Sequence, residues 1–329
     1  MFNTRKWTSS ETLLRVSGFF VKTALPFVRF FCFAVYLLEV KEGVMKLLQK
    51  KNILITLAAA FVLILIGTFL DFQISSLVVN QDSLYGKFFL LFGQFPVMLC
   101  GFAASAMLWK SLPEEGTEKI IFQVLSAGGI LGGLIGVKEV LENASGFMKI
   151  VFILIELLIG AAMFWFVYQY CDTSSPRRLR RTALFILFTV LVTTAVVVFV
   201  KIPWGRPRYR SIIAINDLKY QPWYVIGKSA RDMFEGVLDH DEFKSFPSGH
   251  TASATYILTL ITLKNVIPML KGQERALTIA GFVWIVLTAI ARIVSGAHFL
   301  TDVTFGFLIT FLVMWGIGSC LKINRKKKN

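Results

Sequence analysis

The sequence predicts an all-α fold: a polytopic membrane helix bundle of about eight transmembrane helices. Two observations lead there. Of 329 residues, 55% are hydrophobic and only 17% are charged, below the roughly one quarter usual in soluble domains. The mean hydropathy is +0.66, and the apolar residues fall in runs near the ~20 residues that cross a hydrocarbon core. The 31 Phe residues suit lipid-facing helices. The formal charge of +15, from 35 Lys and Arg against 20 Asp and Glu, raises the question of nucleic acid. Its placement excludes that reading, because the basic residues gather in short segments between apolar runs.

In chain order the expected spans are 53–70, 87–109, 119–137, 148–170, 183–200, 250–264, 276–294 and 299–321. Basic clusters lie at Lys46–Lys51, at Arg177–Arg181, at Lys264, Lys271 and Arg275, and at Lys322–Lys328. An even number of spans separates each cluster from the next. All four therefore share one side, which the positive-inside rule makes the cytoplasm. The protein is then a multi-pass cell-membrane protein with a cytoplasmic C-terminus. Span 250–264 is short for a bilayer, and a re-entrant segment there would upset the count. Residues 17–40 are apolar but interrupted by Lys22, Pro26 and Arg29, so they read as a peripheral appendage or, alternatively, a ninth span, and not as a signal peptide. The expected organisation is an N-terminal appendage at 1–44, N-terminal spans at 45–182, a further bundle at 183–321 and a basic cytoplasmic tail at 322–329.

Gly128, Gly132 and Gly136 recur every four residues, as do Gly129 and Gly133. Such spacing lets membrane helices approach closely and reads as packing. Glu156 lies in mid-span, where a charge demands either a partner or a function. Cys32, Cys100, Cys171 and Cys320 have no metal-like spacing and read as small apolar residues.

Chemistry concentrates at three span edges. In Arg292-Ile-Val-Ser-Gly-Ala-His298-Phe-Leu-Thr-Asp302 the carboxylate follows the imidazole by four residues, one helical turn. It can take the ring N–H and leave the other nitrogen free as a nucleophile. Phe246-Pro247-Ser248-Gly249-His250 opens an apolar run. Backbone N–H groups at such a helix start bind phosphoryl oxygens, with glycine permitting close approach, and His250 is placed to give a proton. Lys201-Ile-Pro-Trp-Gly-Arg206-Pro-Arg208-Tyr209 is densely cationic. Lys201, Arg208 and Arg292 can cage an anion. Taken singly, each piece has a plain reading. A histidine caps a helix, an arginine meets a headgroup, and Trp204, Tyr209, Trp223 and Tyr224 anchor at the interface. Their joint arrival at one membrane face is what carries the argument.

These motifs resemble the type 2 phosphatidic acid phosphatases, the membrane branch of a superfamily that includes the vanadium haloperoxidases. The family pattern K-x6-R-P, P-S-G-H, S-R-x5-H-x3-D is met by Lys201 and Arg208, by Pro247 to His250, and by Arg292, His298 and Asp302. Tyr209 stands where the pattern has Pro, and Ala291 where it has Ser. Spacing selects Arg208 over Arg206. The resemblance covers about residues 183–321 and implies a six-helix core whose last four spans supply the site. Two of the upstream spans would complete it and two would be additional. It implies His298 as nucleophile, Asp302 as its orienting group, His250 as acid and then base, and Lys201, Arg208, Ser248, Gly249 and Arg292 as phosphate ligands. No metal or cofactor is expected. The expected partners are the bilayer and a membrane lipid carrying a phosphate or diphosphate, hydrolysed at the extracytoplasmic face through a phosphohistidine. The competing expectations are phosphoryl transfer to another lipid, by the same residues, and lipid transport or binding on the same scaffold.

Overall fold

The computed structural model describes residues 50–321. The 1–44 appendage, the 322–329 tail and Cys32 lie outside the described residues. Helix α1 is Lys50–Val78, α2 Leu84–Phe92, α3 Phe95–Lys110, α4 Thr117–Leu134, α5 Lys138–Asn143 and α6 Gly146–Tyr170. Then come α7 Pro176–Trp204, α8 Tyr209–Ala214, α9 Ser229–Met233, α10 Gly249–Thr255, α11 Glu274–Val294 and α12 Leu300–Cys320. Among the described residues there is no β-strand. The fold is an all-α membrane bundle.

Among the described residues, seven stretches are long and apolar enough to cross a membrane: Asn52–Val78, Leu84–Lys110, Thr117–Asn143, Gly146–Tyr170, Pro176–Ala214, Glu274–Val294 and Leu300–Cys320. Each contains or overlaps one expected span. Their outer faces carry the exposed apolar side chains that lipid requires, such as Phe61 and Phe69 on α1, Leu158 on α6 and Phe199 on α7.

The remaining expected span, 250–264, is built differently. Helix α10 passes into a 3-10 helix over Tyr256–Asn265. Thr259 Oγ1 donates to the Tyr256 carbonyl and Thr262 Oγ1 to the Thr259 carbonyl, at 2.7 and 2.6 Å, both at three-residue spacing. A 3-10 turn rises about 2.0 Å per residue against 1.5 Å for an α-helix. The short segment therefore reaches ~30 Å, close to the hydrocarbon thickness, where α-helix alone would give ~25 Å.

Helix α3 is the inner member of the bundle. Met98, Cys100, Ala103, Ala104, Ala106, Met107 and Leu108 are all fully buried, against α4, α6, α7 and the 3-10 helix. The α3–α4 crossing depends on glycine. A Cβ on Gly101 would come within 2.2 Å of the Gly129 carbonyl oxygen, and one on Gly129 within 2.4 Å of Ser105 Oγ. Gly133 also faces α3, whereas Gly128 and Gly132 face open space. Helix packing thus uses the Gly129 and Gly133 row. Helix α12 lies against α1, α7 and α10, and α11 against α2 and α10. Spans Asn52–Val78 and Leu84–Lys110 hence join the last four, while α4 and α6 pack chiefly on α3.

The loops sort to two ends. Asp172 N–H donates to the Val266 carbonyl at 2.7 Å. Arg180 donates to the Ser111 carbonyl at 2.9 and 2.7 Å. These contacts gather loops from the expected cytoplasmic set at one end, and the three motifs meet at the other. Glu156 on α6 is buried, and neither carboxylate oxygen has a hydrogen-bond partner. Cys100 and Cys171 are buried and free, and Cys320 is exposed and free.

Candidate active site

Ser245 joins the three motifs. Its N–H donates to the Arg206 carbonyl at 3.1 Å. Its hydroxyl donates to Asp302 Oδ2 at 2.5 Å. Its carbonyl lies 2.6 Å from His298 Nδ1. A carbonyl oxygen only accepts, so Nδ1 carries the ring proton and Nε2 keeps its lone pair. Asp302 Oδ2 is 3.8 Å from Nδ1, beyond hydrogen-bond length. The nearest orienting acceptor is therefore the Ser245 carbonyl, with Asp302 standing behind it as a charge. Burial, aided by the Lys201 and Arg292 charges and opposed by Asp302, pushes the His298 imidazole down to about 3. Its neutral form prevails above that pH.

Asp302 is fully buried and closely held. It accepts from the Phe299 N–H at 2.8 Å, at the start of α12, and from Arg206 Nη1 at 2.5 Å. Arg206 is itself wholly buried and reaches Asp71 on α1 at 3.0 Å. Asp71 accepts in turn from the Thr301 N–H at 3.0 Å and from the Thr301 hydroxyl. A carboxylate at a helix N-terminus is favourably placed. The web from Asp71 through Arg206 to Asp302 pairs charges that would be costly alone.

Other cations are less committed. Lys201, near the end of α7, donates to the Lys244 carbonyl at 2.7 Å. Arg210 is engaged by Glu242 at 3.0 Å. Arg208 Nε, and Arg292 Nε and Nη1, are buried with no hydrogen-bond partner. Unsatisfied guanidinium nitrogens are expensive unless an anion meets them. Arg292 is 2% exposed, and both it and Arg208 lie within electrostatic reach of His250.

Ser248 caps α10, its hydroxyl accepting from the Thr251 N–H at 3.3 Å. Its own N–H donates to the Asp302 carbonyl at 2.9 Å, so any backbone donors for a ligand come from later in that turn. Gly249 lies beside Lys201, and α12 passes so close that a Cβ on Gly306 would come within 2.4 Å of the Ser248 carbonyl oxygen. That approach fixes α10 against α12 and brings His250 to the end where His298 stands.

The eight expected residues thus gather at one end of the bundle. Sequence reasoning missed Ser245, Asp71 and the pairing of Arg206, since each depends on contacts between distant segments. It also missed Glu139, whose Oε1 is 3.7 Å from His250 Nε2. The anchor reading needs correction for Trp204, Tyr209 and Trp223, whereas Tyr224 is exposed. Tyr209 is 4% exposed and packs edge-on to Phe72 and Phe299. Trp204 stacks on Phe246 at 4.5 Å, and Trp223 donates to Thr68 Oγ1 at 2.9 Å. These rings brace the loop. His240 is exposed, 3.9 Å from Glu235. Among the described residues no group of three or more His, Cys, Asp and Glu could hold a metal ion.

Comparison with known proteins follows the same division of the chain. The PAP2 superfamily model matches residues 182–326. Phosphatidylglycerophosphatase B of Bacillus subtilis (strain 168) is 35% identical over 95 residues, covering 27% of this chain and 47% of that protein. The chain thus spans about half the length of the curated relative it matches. No solved structure matches it. The matched segment, 182–326, carries all three motifs and is similar to the PAP2 superfamily.

Proposed function

We propose that the chain is an integral membrane phosphatase that hydrolyses a lipid phosphate or diphosphate at the extracytoplasmic face, through a phosphohistidine intermediate. One observation carries this reading: a histidine with a free Nε2 shares a site with buried arginine nitrogens that no protein group satisfies. The Nε2 lone pair of His298 attacks phosphorus, the bond to the leaving oxygen breaks, and that oxygen takes a proton from His250. Water then gives a proton to His250 as its oxygen attacks phosphorus. The P–N bond breaks and its electron pair returns to Nε2. Lys201, Arg208 and Arg292 hold the non-bridging oxygens, joined by N–H groups of the Gly249 turn. Asp302 supplies the negative charge that stabilises His298 as its ring becomes cationic. The scheme uses no metal or cofactor.

The test is phosphate release by purified protein from phosphatidylglycerol phosphate, phosphatidic acid, a polyprenyl diphosphate and a lipid A-type phosphate. The relative's printed name puts the first of these at the head of the panel. Turnover of at least one is expected, unchanged in excess chelator and abolished in His298→Ala. Near wild-type turnover by His298→Ala would sink the mechanism. Transfer of labelled phosphate to a lipid acceptor instead of water would make the protein a transferase.

Sidedness is supported by the basic loops at Arg177–Arg181 and 264–275, which lie at the end away from the motifs. Ser229→Cys and Gln273→Cys, each in a background without the native cysteines, test it. An impermeant thiol reagent on intact cells should label position 229 and spare 273. The reverse pattern overturns the extracytoplasmic assignment.

A further inference from the structure

His250 is not enclosed by its own segment alone. Its Nε2 lies 3.3 Å from the Leu90 carbonyl, in the last turn of α2, and 3.7 Å from Glu139 Oε1, on α5. Glu139 is held in place there. Its Oε1 accepts from Gln94 Nε2 at 2.7 Å, and its Oε2 from Asn143 Nδ2 at 3.2 Å. Gln94 Oε1 in turn accepts from Ser253 Oγ at 3.2 Å, and Ser253 follows His250 by three residues on α10. A ring of contacts thus runs from α10 through the α2–α3 turn to α5 and back to the imidazole. The side chains of His250 and Glu139 are only 10% and 16% exposed.

The chemistry of that ring follows from its charges. The Leu90 carbonyl only accepts, so Nε2 carries a proton. To act as an acid at Nδ1, His250 must hold a second proton. Arg292, His298 and Arg208 all bear on it, and burial among cations opposes an imidazolium. A carboxylate at 3.7 Å favours it. Arg292, Arg208, Lys138 and Glu142 are the charges that bear on Glu139 itself. A bare carboxylate there would repel a phosphate. One that neutralises an imidazolium does not.

We propose that Glu139, which lies outside the matched family segment, is a positioning residue that supplies the counter-charge for the protonated ring of His250. The N-terminal spans are then part of the active site, and they act on the leaving-group step. The catalytic half of this inference rests on the phosphatase reading, whereas the pairing does not.

The test uses the full-length protein in detergent. Glu139→Gln should lower kcat on an alkyl phosphate lipid by about tenfold or more, with KM within about twofold. On an aryl phosphate, whose leaving group needs little protonation, the loss should be far smaller. The alkaline limb of the kcat profile should move to lower pH by about one unit, because the active His250 is the protonated one. Glu139→Asp should recover part of the activity. A second readout needs no turnover. The chain has 3 histidines, so carbon-13 imidazole spectra can follow each, with His250 assigned by its own substitution. Its titration midpoint should fall in Glu139→Gln. An unmoved midpoint overturns the pairing. A moved midpoint with equal loss on both substrates, or with no loss, overturns the catalytic role. An inactive wild-type protein overturns the phosphatase reading alone, and the midpoint still decides the pairing.

Discussion

His298 and His250 meet at one end of the bundle from surroundings assembled in different ways. His298 is fixed by the Ser245 carbonyl and backed by Asp302, all within the matched segment 182–326. The upstream chain touches it at second hand, through Asp71 and Arg206. His250 looks the other way. Leu90 and Glu139, which face its ring, and Gln94, which holds Glu139, come from the upstream spans. The group proposed to attack phosphorus is thus held by residues of the matched segment itself. The group proposed to release the product lies against a part of the chain that the family match does not include. A change in the upstream spans should therefore alter which leaving groups are tolerated before it alters whether phosphorus can be attacked.

Three substitutions would break or sharpen this contrast. Asp302→Asn strikes the His298 side at its centre. It keeps the shape but removes the charge that faces both His298 and Arg206, and a loss of roughly three to four powers of ten is expected, by analogy with triad carboxylates. A loss under tenfold on every substrate would show that the Ser245 carbonyl alone suffices. His250→Ala should cost about two to three powers of ten on alkyl phosphates. An aryl phosphate should recover much of that, and equal losses on the two would remove His250 from the acid role. Asp71→Asn should have the smallest effect on turnover, about tenfold or less, since Arg206 keeps Asp302. It should instead lower the melting temperature in detergent, because a buried arginine loses one of its two carboxylates. If Asp71→Asn costs as much activity as Asp302→Asn, the upstream spans govern both histidines alike.

Much of this was legible before any coordinates. Spans announce themselves by length, because every backbone polar group in lipid must be satisfied within a helix. The motif residues announce themselves by spacing, because each motif's members lie within about three helical turns. Asp71 and Glu139 gave no such signal. The partner of Asp71 is 135 positions away, and that of Glu139 is on another span. Spacing set Arg206 aside in favour of Arg208, and its two buried carboxylate partners lie on other segments. The anchoring aromatics misled for the same reason, since amphipathic rings suit a membrane interface and a braced loop equally well. The 3-10 winding of 256–265 was also hidden. Its Tyr-x2-Thr-x2-Thr spacing is visible, but such spacing also occurs on α-helices.

That winding works as a ruler. The segment is tied at both ends, by Ser248 N–H on the Asp302 carbonyl at 2.9 Å and by the Val266 carbonyl on Asp172 N–H at 2.7 Å. Rewound as α-helix, Tyr256–Asn265 would shorten by ~5 Å, more than any hydrogen bond can stretch. One tie would have to let go. If it were the first, His250 would be drawn away from His298. The distance between the two histidines is thus gauged from the far end of the bundle, by the ten residues Tyr256–Asn265.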